Sequence, residues 1–417
     1  MSAPTANSPD FYASLRYPEF RRLVSANFLL TCALLIQEVV LGYELYRITK
    51  DPLALGLTGL AEAVPFMGLA LFGGHLADRR ERRRLMLGSQ LVTALGSVVL
   101  LLLMLDPARL SRTLLLVTIY GVIALVGLAR GIWSPAASSL KAFLVPREHY
   151  ANSATWSSTF WQAAAILGPG AAGFLYAGLG ITGTLALVVA LIGVSMWQVT
   201  GIAPRPPVPV KEEDVLSLWQ SLREGLDYVF RTRIMFYAIT LDMISVFFGG
   251  VVAILPIYAQ DILAVGPEGL GILRAAPSVG AFLTVLLCTW RTPVGQAWRN
   301  LLWAVAGFGI ATLVFAVSPW FWLSAAMLFF TGAFDSVSVV IRQTILQMLP
   351  PDHLRGRVQA VNSIFISSSN ELGAFESGLA ARLMGTVPSV LMGGSLTVLT
   401  VLWIWRRSRE LFAVKLA

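Results

Sequence analysis

Apolar residues run along this chain in stretches of about twenty, separated by short polar turns. Twelve such stretches lie at 22–46, 53–77, 84–105, 112–142, 150–178, 181–202, 233–258, 267–290, 299–317, 320–348, 353–383 and 386–405. A helix of about 20 apolar residues crosses the hydrocarbon core of a bilayer, so each stretch predicts a spanning helix. Most connections are tight turns with Pro or Gly, such as KDP at 50–52 and LDP at 105–107. The exception is 203–232, which begins Pro-rich and then places Leu218, Leu222, Leu226 and Val229 at helical spacing. That pattern predicts an extended linker followed by an amphipathic surface helix. The expected organisation is an N-terminal segment 1–21, a six-helix bundle 22–202, the linker 203–232, a second bundle 233–405 and a tail 406–417.

Composition supports a lipid-embedded, all-α protein. The 417 residues are 56% hydrophobic and only 13% charged, with a mean hydropathy of +0.71. Soluble domains carry nearer a quarter charged residues. The net charge of +8 must therefore sit on a few loops. Basic residues recur in alternate ones: Arg16, Arg21 and Arg22; the run GGHLADRRERRR at 73–84; Lys141 and Arg147; the central linker; Arg291 and Arg299; Arg355 and Arg357; and Arg406, Arg407 and Arg409. Cationic loops stay on the cytoplasmic side during insertion, which places both termini in the cytoplasm. The basic run alone would suit nucleic acid, but spanning segments flank it on both sides, so no nucleic-acid partner is expected. The first span follows a polar segment without a cleavage pattern and is expected to be retained.

The two halves resemble each other. A shift of 212 residues places Tyr46 on Tyr258, Gly59 on Gly271, Pro65 on Pro277, Gly68 on Gly280 and Glu62 on Arg274; a shift of 205 places Gly127 on Gly332 and Arg130 on Asp335. Paired repeats of six helices are a build of secondary transporters, with the substrate site near the midplane between repeats.

Residues 74–84, GHLADRRERRR, resemble the loop signature of the major facilitator superfamily, with Gly74, Leu76, Ala77, Asp78, Arg79, Arg82 and Arg83 in matching places. Glu81 departs from the Gly that is usual there. ITKDPLALGLTGLAEAVPF, the Arg130-Gly131 pair, SLREGLDYV and LRGRVQAVNS resemble the branch of enterobactin-type siderophore exporters and related drug efflux proteins. The resemblance implies the major facilitator fold, with twelve helices in two pseudo-symmetric bundles, no cofactor and a monomer. It also implies a latch in which Asp78 faces the start of the eleventh span near Pro350–Asp352 and gains from that helix's positive end. The alternative is that the arginines only anchor topology. In the fifth span, Gly168, Pro169, Gly170 and Gly173 resemble the superfamily's antiporter signature, with Ala164 and Ala172 where glycines are expected. A plain proline kink is the competing reading.

Charges inside the spans cost about 2.5–3.5 kcal/mol each near the bilayer centre and need partners or water. Glu38, Glu62, Arg130, Asp242, Arg274, Asp335, Glu371 and Glu376 form the expected charge network. Some would bridge the halves and exchange partners, with Glu38, Asp242 and Asp335 as candidate proton carriers; static buried pairs are the alternative. Glu44 and Arg342 are expected near a membrane face, where they could snorkel. Tyr43, Trp133, Trp156, Phe160, Trp161, Ser367 and Ser368 are candidate pocket residues for an amphiphilic organic substrate, although Trp and Tyr also anchor helix ends at the interface.

His75, His149 and His353 all fall at helix ends, and neither HExxH nor GxSxG occurs, so an enzyme is not expected. Cys32 and Cys288 lie in separate spans without metal-ligand spacing, so no metal is expected. No GxxxxGK[ST] loop is present to drive a pump with ATP. Proton-coupled efflux of an amphiphile is the leading reading, and proton-coupled import of a small nutrient or lipid-like molecule is the rival.

Overall fold

The computed structural model describes residues 10–107, 110–205, 215–291, 293 and 295–413. It is helical throughout: α1 (Pro18–Thr49), α2 (Pro52–Arg79), α3 (Arg82–Leu105), α4 (Arg112–Lys141), α5 (Tyr150–Thr200), α6 (Val215–Arg231), α7 (Arg233–Gly249), the short α8 (Leu255–Ile257), α9 (Gly266–Trp290), α10 (Ala297–Val317), α11 (Phe321–Met348), α12 (Asp352–Met384) and α13 (Thr386–Arg407). In lipid every backbone polar group must be satisfied within the protein, and a helix does this with its own atoms. Among the described residues ten helices are long and apolar enough to cross a membrane.

Three departures from the sequence pattern have local causes. The fifth and sixth stretches form one helical run of 51 residues in α5, broken at Gly180, whose φ of +66° suits a residue without Cβ. At 1.5 Å per residue an unbroken run would reach about 77 Å, far more than a bilayer core. The eleventh stretch is helical as α12, but serine, asparagine and charged side chains interrupt its apolar residues, and it is not among those ten. The seventh stretch is not one helix. α7 stops at Gly249, a 3-10 turn covers Val251–Ile254, and a π-helical turn covers Tyr258–Ile262. Gly249-Gly250 lowers helix propensity, and Pro256 cannot donate to the preceding turn. Ser377 on α12 donates to the carbonyl of Gly250 at 3.1 Å, which satisfies one acceptor freed by the break.

The chain forms two compact units whose boundaries cut across the helices. One comprises 1–37, 64–168 and 182–210; the other comprises 38–63, 169–181 and 211–417. The core of the first gathers Phe20, Leu23, Met86, Ala136, Leu140 and Val199. Several buried hydroxyls inside it are satisfied locally: Ser89, Thr93 and Ser97 on α3 each donate to the carbonyl four residues back, and Ser97 also meets Gln37 at 2.7 Å.

The second unit is built around Met235, Ala238, Trp298, Leu301, Ile341 and Ile404. Its amphipathic α6 adds Val229 to that core, as the helical spacing predicts. The hydroxyl of Tyr228 reaches the Leu349 carbonyl at 3.2 Å, and Glu224 pairs with Arg357 on α12. Small residues let backbones meet elsewhere in this unit. A Cβ on Gly393 would overlap the Phe248 carbonyl, and one on Gly332 would lie 2.7 Å from Pro277 Cα.

Candidate functional site

Within the second unit, segments from the first half of the sequence are bonded to helices of the second half. Glu38, in the middle of α1, accepts from Arg274 of α9 at 2.8 Å, and Arg274 is mostly buried. At the C-terminal end of α1, the Tyr46 hydroxyl donates to Asp261, and Lys50 Nζ reaches the same carboxylate at 2.9 Å. Gln260 donates to the Tyr43 carbonyl at 2.8 Å. Asp51 lies 3.4 Å from Arg382 of α12.

Backbone contact reinforces these bonds. A Cβ on Gly56 would stand 3.1 Å from Gly378 Cα, and one on Gly173 would overlap the Pro267 carbonyl and sit 3.0 Å from Gly271 N. Gly170 approaches Ala275 of α9. Thus Gly170 and Gly173, two members of the antiporter-like stretch, form a helix crossing in which each side chain is a hydrogen. Ala164 and Ala172, the two departures from that signature, are fully buried.

A second ionic group lies deeper in the same unit. Asp242 of α7 pairs with Arg342 of α11, and their side chains are 8% and 2% exposed. Arg342 therefore does not snorkel as expected; it is enclosed with its counter-ion, and its Nε has no hydrogen-bond partner among the described residues. Asp335, two turns earlier on α11, lies within Coulombic reach of both charges. Glu44 is likewise buried and does not reach out to solvent: it accepts from Tyr176 and Arg47 at 2.6 Å each. Sequence reasoning misses Tyr176, Asp261 and Lys50, whose partners lie more than a hundred residues away.

The other expected network members divide. Glu62 and Glu371 are half-buried and each interacts with other groups, and Glu371 approaches Gly59 of α2. Glu376 makes no hydrogen bond or ion pair among the described residues. In the first unit, Arg130 lies over the Phe66 ring at 5.0 Å.

The basic loop residues act within the first unit. Arg82, 4% exposed, donates to Ser139 at 2.7 Å and lies over Phe143. Arg83 donates to the Thr200 carbonyl at 2.8 Å, where a cation complements the helix C-terminus. Arg79 is exposed. The side chains of Gly74, Asp78 and Ser367 lie outside the described residues.

Of the pocket candidates, Trp156 joins Phe11, Tyr12 and Phe160 in one aromatic cluster, and its Nε1 donates to the Phe11 carbonyl at 3.1 Å. Trp161 is 59% exposed. Tyr43 belongs to the second unit and stacks edge-on against Tyr176. Ser368 is half-buried and interacts with other groups. Gly168 packs on α1, with a Cβ there 3.0 Å from Leu35 Cβ. Pro169 lies inside α5, where the backbone stays helical, the non-helical residue of that run being Gly180.

Comparison with known proteins gives a consistent result. The profile described as Major Facilitator Superfamily matches residues 23–374. A relative described as "Enterobactin exporter EntS" from Shigella flexneri is 23% identical over 385 residues, covering 91% of this chain and 88% of its own. A "Na(+), Li(+), K(+)/H(+) antiporter" from Planococcus maritimus is 24% identical over 325 residues, covering 70% and 73%. Among solved structures, a POT family transporter superposes with a TM-score of 0.74 at 10% identity, covering 94% of this chain and 96% of its own. The nucleoside transporter NupG gives 0.71 at 13%, covering 95% and 100%. At such identities these structures speak for the fold alone.

Proposed function

The chain belongs to the major facilitator superfamily and is a membrane transporter, and from that premise we propose that it exports an amphiphilic organic molecule, of siderophore or drug type, in exchange for protons. Transport proceeds by alternating access in a monomer with twelve spans, as two six-helix bundles, and both termini in the cytoplasm. The observation that carries this reading is the set of opposite charges joining 38–63 to the second half of the chain, Glu38 with Arg274 and Lys50 with Asp261. Ion pairs embedded in a membrane protein are expensive unless matched. Pairs that join segments of different halves separate when water, another partner or, at a carboxylate, a proton takes over, and in this reading a proton does so at Glu38, whose partner Arg274 is mostly buried. The relatives described as an exporter and an antiporter support the direction. On this reading Asp78 latches the opposite side, and Glu38, Asp242 and Asp335 are the acids through which protons act.

Transport in everted membrane vesicles tests the direction, with a panel of labelled siderophores and drugs. The panel should include a compound that accumulates when the vesicle interior is made acidic, and Glu38→Gln should lower that accumulation at least tenfold. Accumulation driven instead by an inward proton gradient in intact cells would establish import.

A further inference from the structure

The C-terminal end of α5, in the first unit, draws arginines from two other helices. Arg22 of α1 donates to the carbonyl of Gly201, and Arg83 of α3 donates to the carbonyl of Thr200 at 2.8 Å. The acceptors belong to consecutive residues, whose Cα atoms are about 3.8 Å apart, so the two donating nitrogens are held close together. Arg22 lies against the backbone there: a Cβ on Gly201 would stand 2.6 Å from its Cζ. The nearby acids are already matched. Glu81 pairs with Arg84 at 2.6 Å, and Glu19, within Coulombic reach of Arg22, pairs with Arg205 at 2.6 Å. Arg22, Arg83 and Arg205 thus face one carboxylate and a helix end worth about half a negative charge. More than one positive charge is left over. Arg83 also keeps a buried Nε–H with no partner among the described residues. Such a group of guanidiniums is completed by an anion with several oxygen acceptors, and phosphate fits that description.

The surroundings decide which phosphate. Val194 and Trp197 precede this end on α5 and are 45% and 71% exposed, and Thr200, exposed too, continues the same helix face. α3 runs beside this stretch, joined to it by Gln90 and Ser195 at 2.9 Å, and its Leu91 and Leu95 are also exposed. Both helices are apolar enough to cross a membrane, so exposed apolar side chains on them meet acyl chains. A free anion gains nothing from those side chains, whereas a lipid gains from both the charged end and the apolar faces. We propose that Arg22 and Arg83 hold the phosphate of an anionic phospholipid whose chains lie along Val194 and Trp197. Basic pockets between spanning helices take anionic headgroups in this way. The inference does not depend on what is transported or in which direction.

Native mass spectrometry of the purified full-length chain in detergent micelles tests it, with phosphatidylglycerol, phosphatidylcholine and inorganic phosphate as probes. Both lipids carry a phosphate, but only the first has a net charge. Phosphatidylglycerol should bind about twentyfold more tightly, because a basic side chain near an anionic lipid surface is worth about 1 kcal/mol, or about fivefold. Arg22→Gln and Arg83→Gln should each cut the preference about fivefold, and together they should bring it to about one. Arg406→Gln, at an exposed arginine ending α13, should leave it in place. Inorganic phosphate at the same concentration should not displace the lipid. Should the double variant fail to elute like the parent, Arg22→Gln decides, since that side chain is exposed. Equal binding of the two lipids by the parent, or a preference that survives these changes, would overturn the proposal. Displacement by inorganic phosphate would overturn it as well, by marking a site for aqueous anions.

Discussion

Asp242→Ala should leave little folded protein after extraction from the membrane, with a thermal midpoint far below the parent's by intrinsic fluorescence. Asp242 is the ion-pair partner of a guanidinium that is 2% exposed. Removing one member of a buried pair strands the other charge, at a cost of about 3–5 kcal/mol. Asp335 lies near enough to act on the same charge, yet it sits on Arg342's own helix and does not replace a counter-ion on α7. The control is the pair of changes together. Asp242→Leu with Arg342→Met removes both charges, and such replacement of a buried pair is often neutral or stabilising. The double variant should thus recover most of the lost stability. A single Asp242→Ala variant as stable as the parent would mean that water reaches Arg342 and that the pair is not enclosed.

The second large effect is expected at Gly173. A side chain there must displace the Pro267 carbonyl and the backbone at Gly271, atoms that cannot rotate away as a flexible side chain would. Gly173→Val forces the 169–181 segment and α9 apart, and overpacking of this kind costs about 1–3 kcal/mol or more. Because the same segment carries the antiporter-like stretch, transport in vesicles should fall at least tenfold, whereas Gly178→Val, at a glycine with open space around it, should leave transport near the parent's. Equal activity of the two variants would remove the crossing at Gly173 from the account.

The helices are legible in the sequence because lipid imposes one rule on every span: twenty apolar residues and no unsatisfied backbone. The break in the seventh stretch is not, although Gly249, Gly250 and Pro256 are its visible cause. An apolar run has the same hydropathy whether it is straight or broken. Asp242 and Arg274 are recognisable as expensive charges needing partners, but the partners themselves are not. Arg342 is misjudged from sequence because its position in a span gives its depth and not whether the side chain turns inward. The sequence shows Tyr46 as a repeat position, but the role it shares with Lys50 and Asp261 arises only when the fold brings 46–50 to 261. The basic run shows its loop signature in the sequence, while the bonds of Arg82 to Ser139 and of Arg83 to Thr200 depend on packing within the first unit.

The claim on which the account depends is that the bonds joining 38–63 to α9 and its neighbours open and reform. Spin labels at Arg47→Cys and Glu268→Cys, with Cys32 and Cys288 replaced by serine, measure this by double electron–electron resonance in nanodiscs. Both labelled positions lie in the second unit and are exposed. Two distance populations are expected in the parent, the longer one growing in Glu38→Gln, which lacks the charge that holds Arg274. A single short distance, unchanged in Glu38→Gln, would contradict the account.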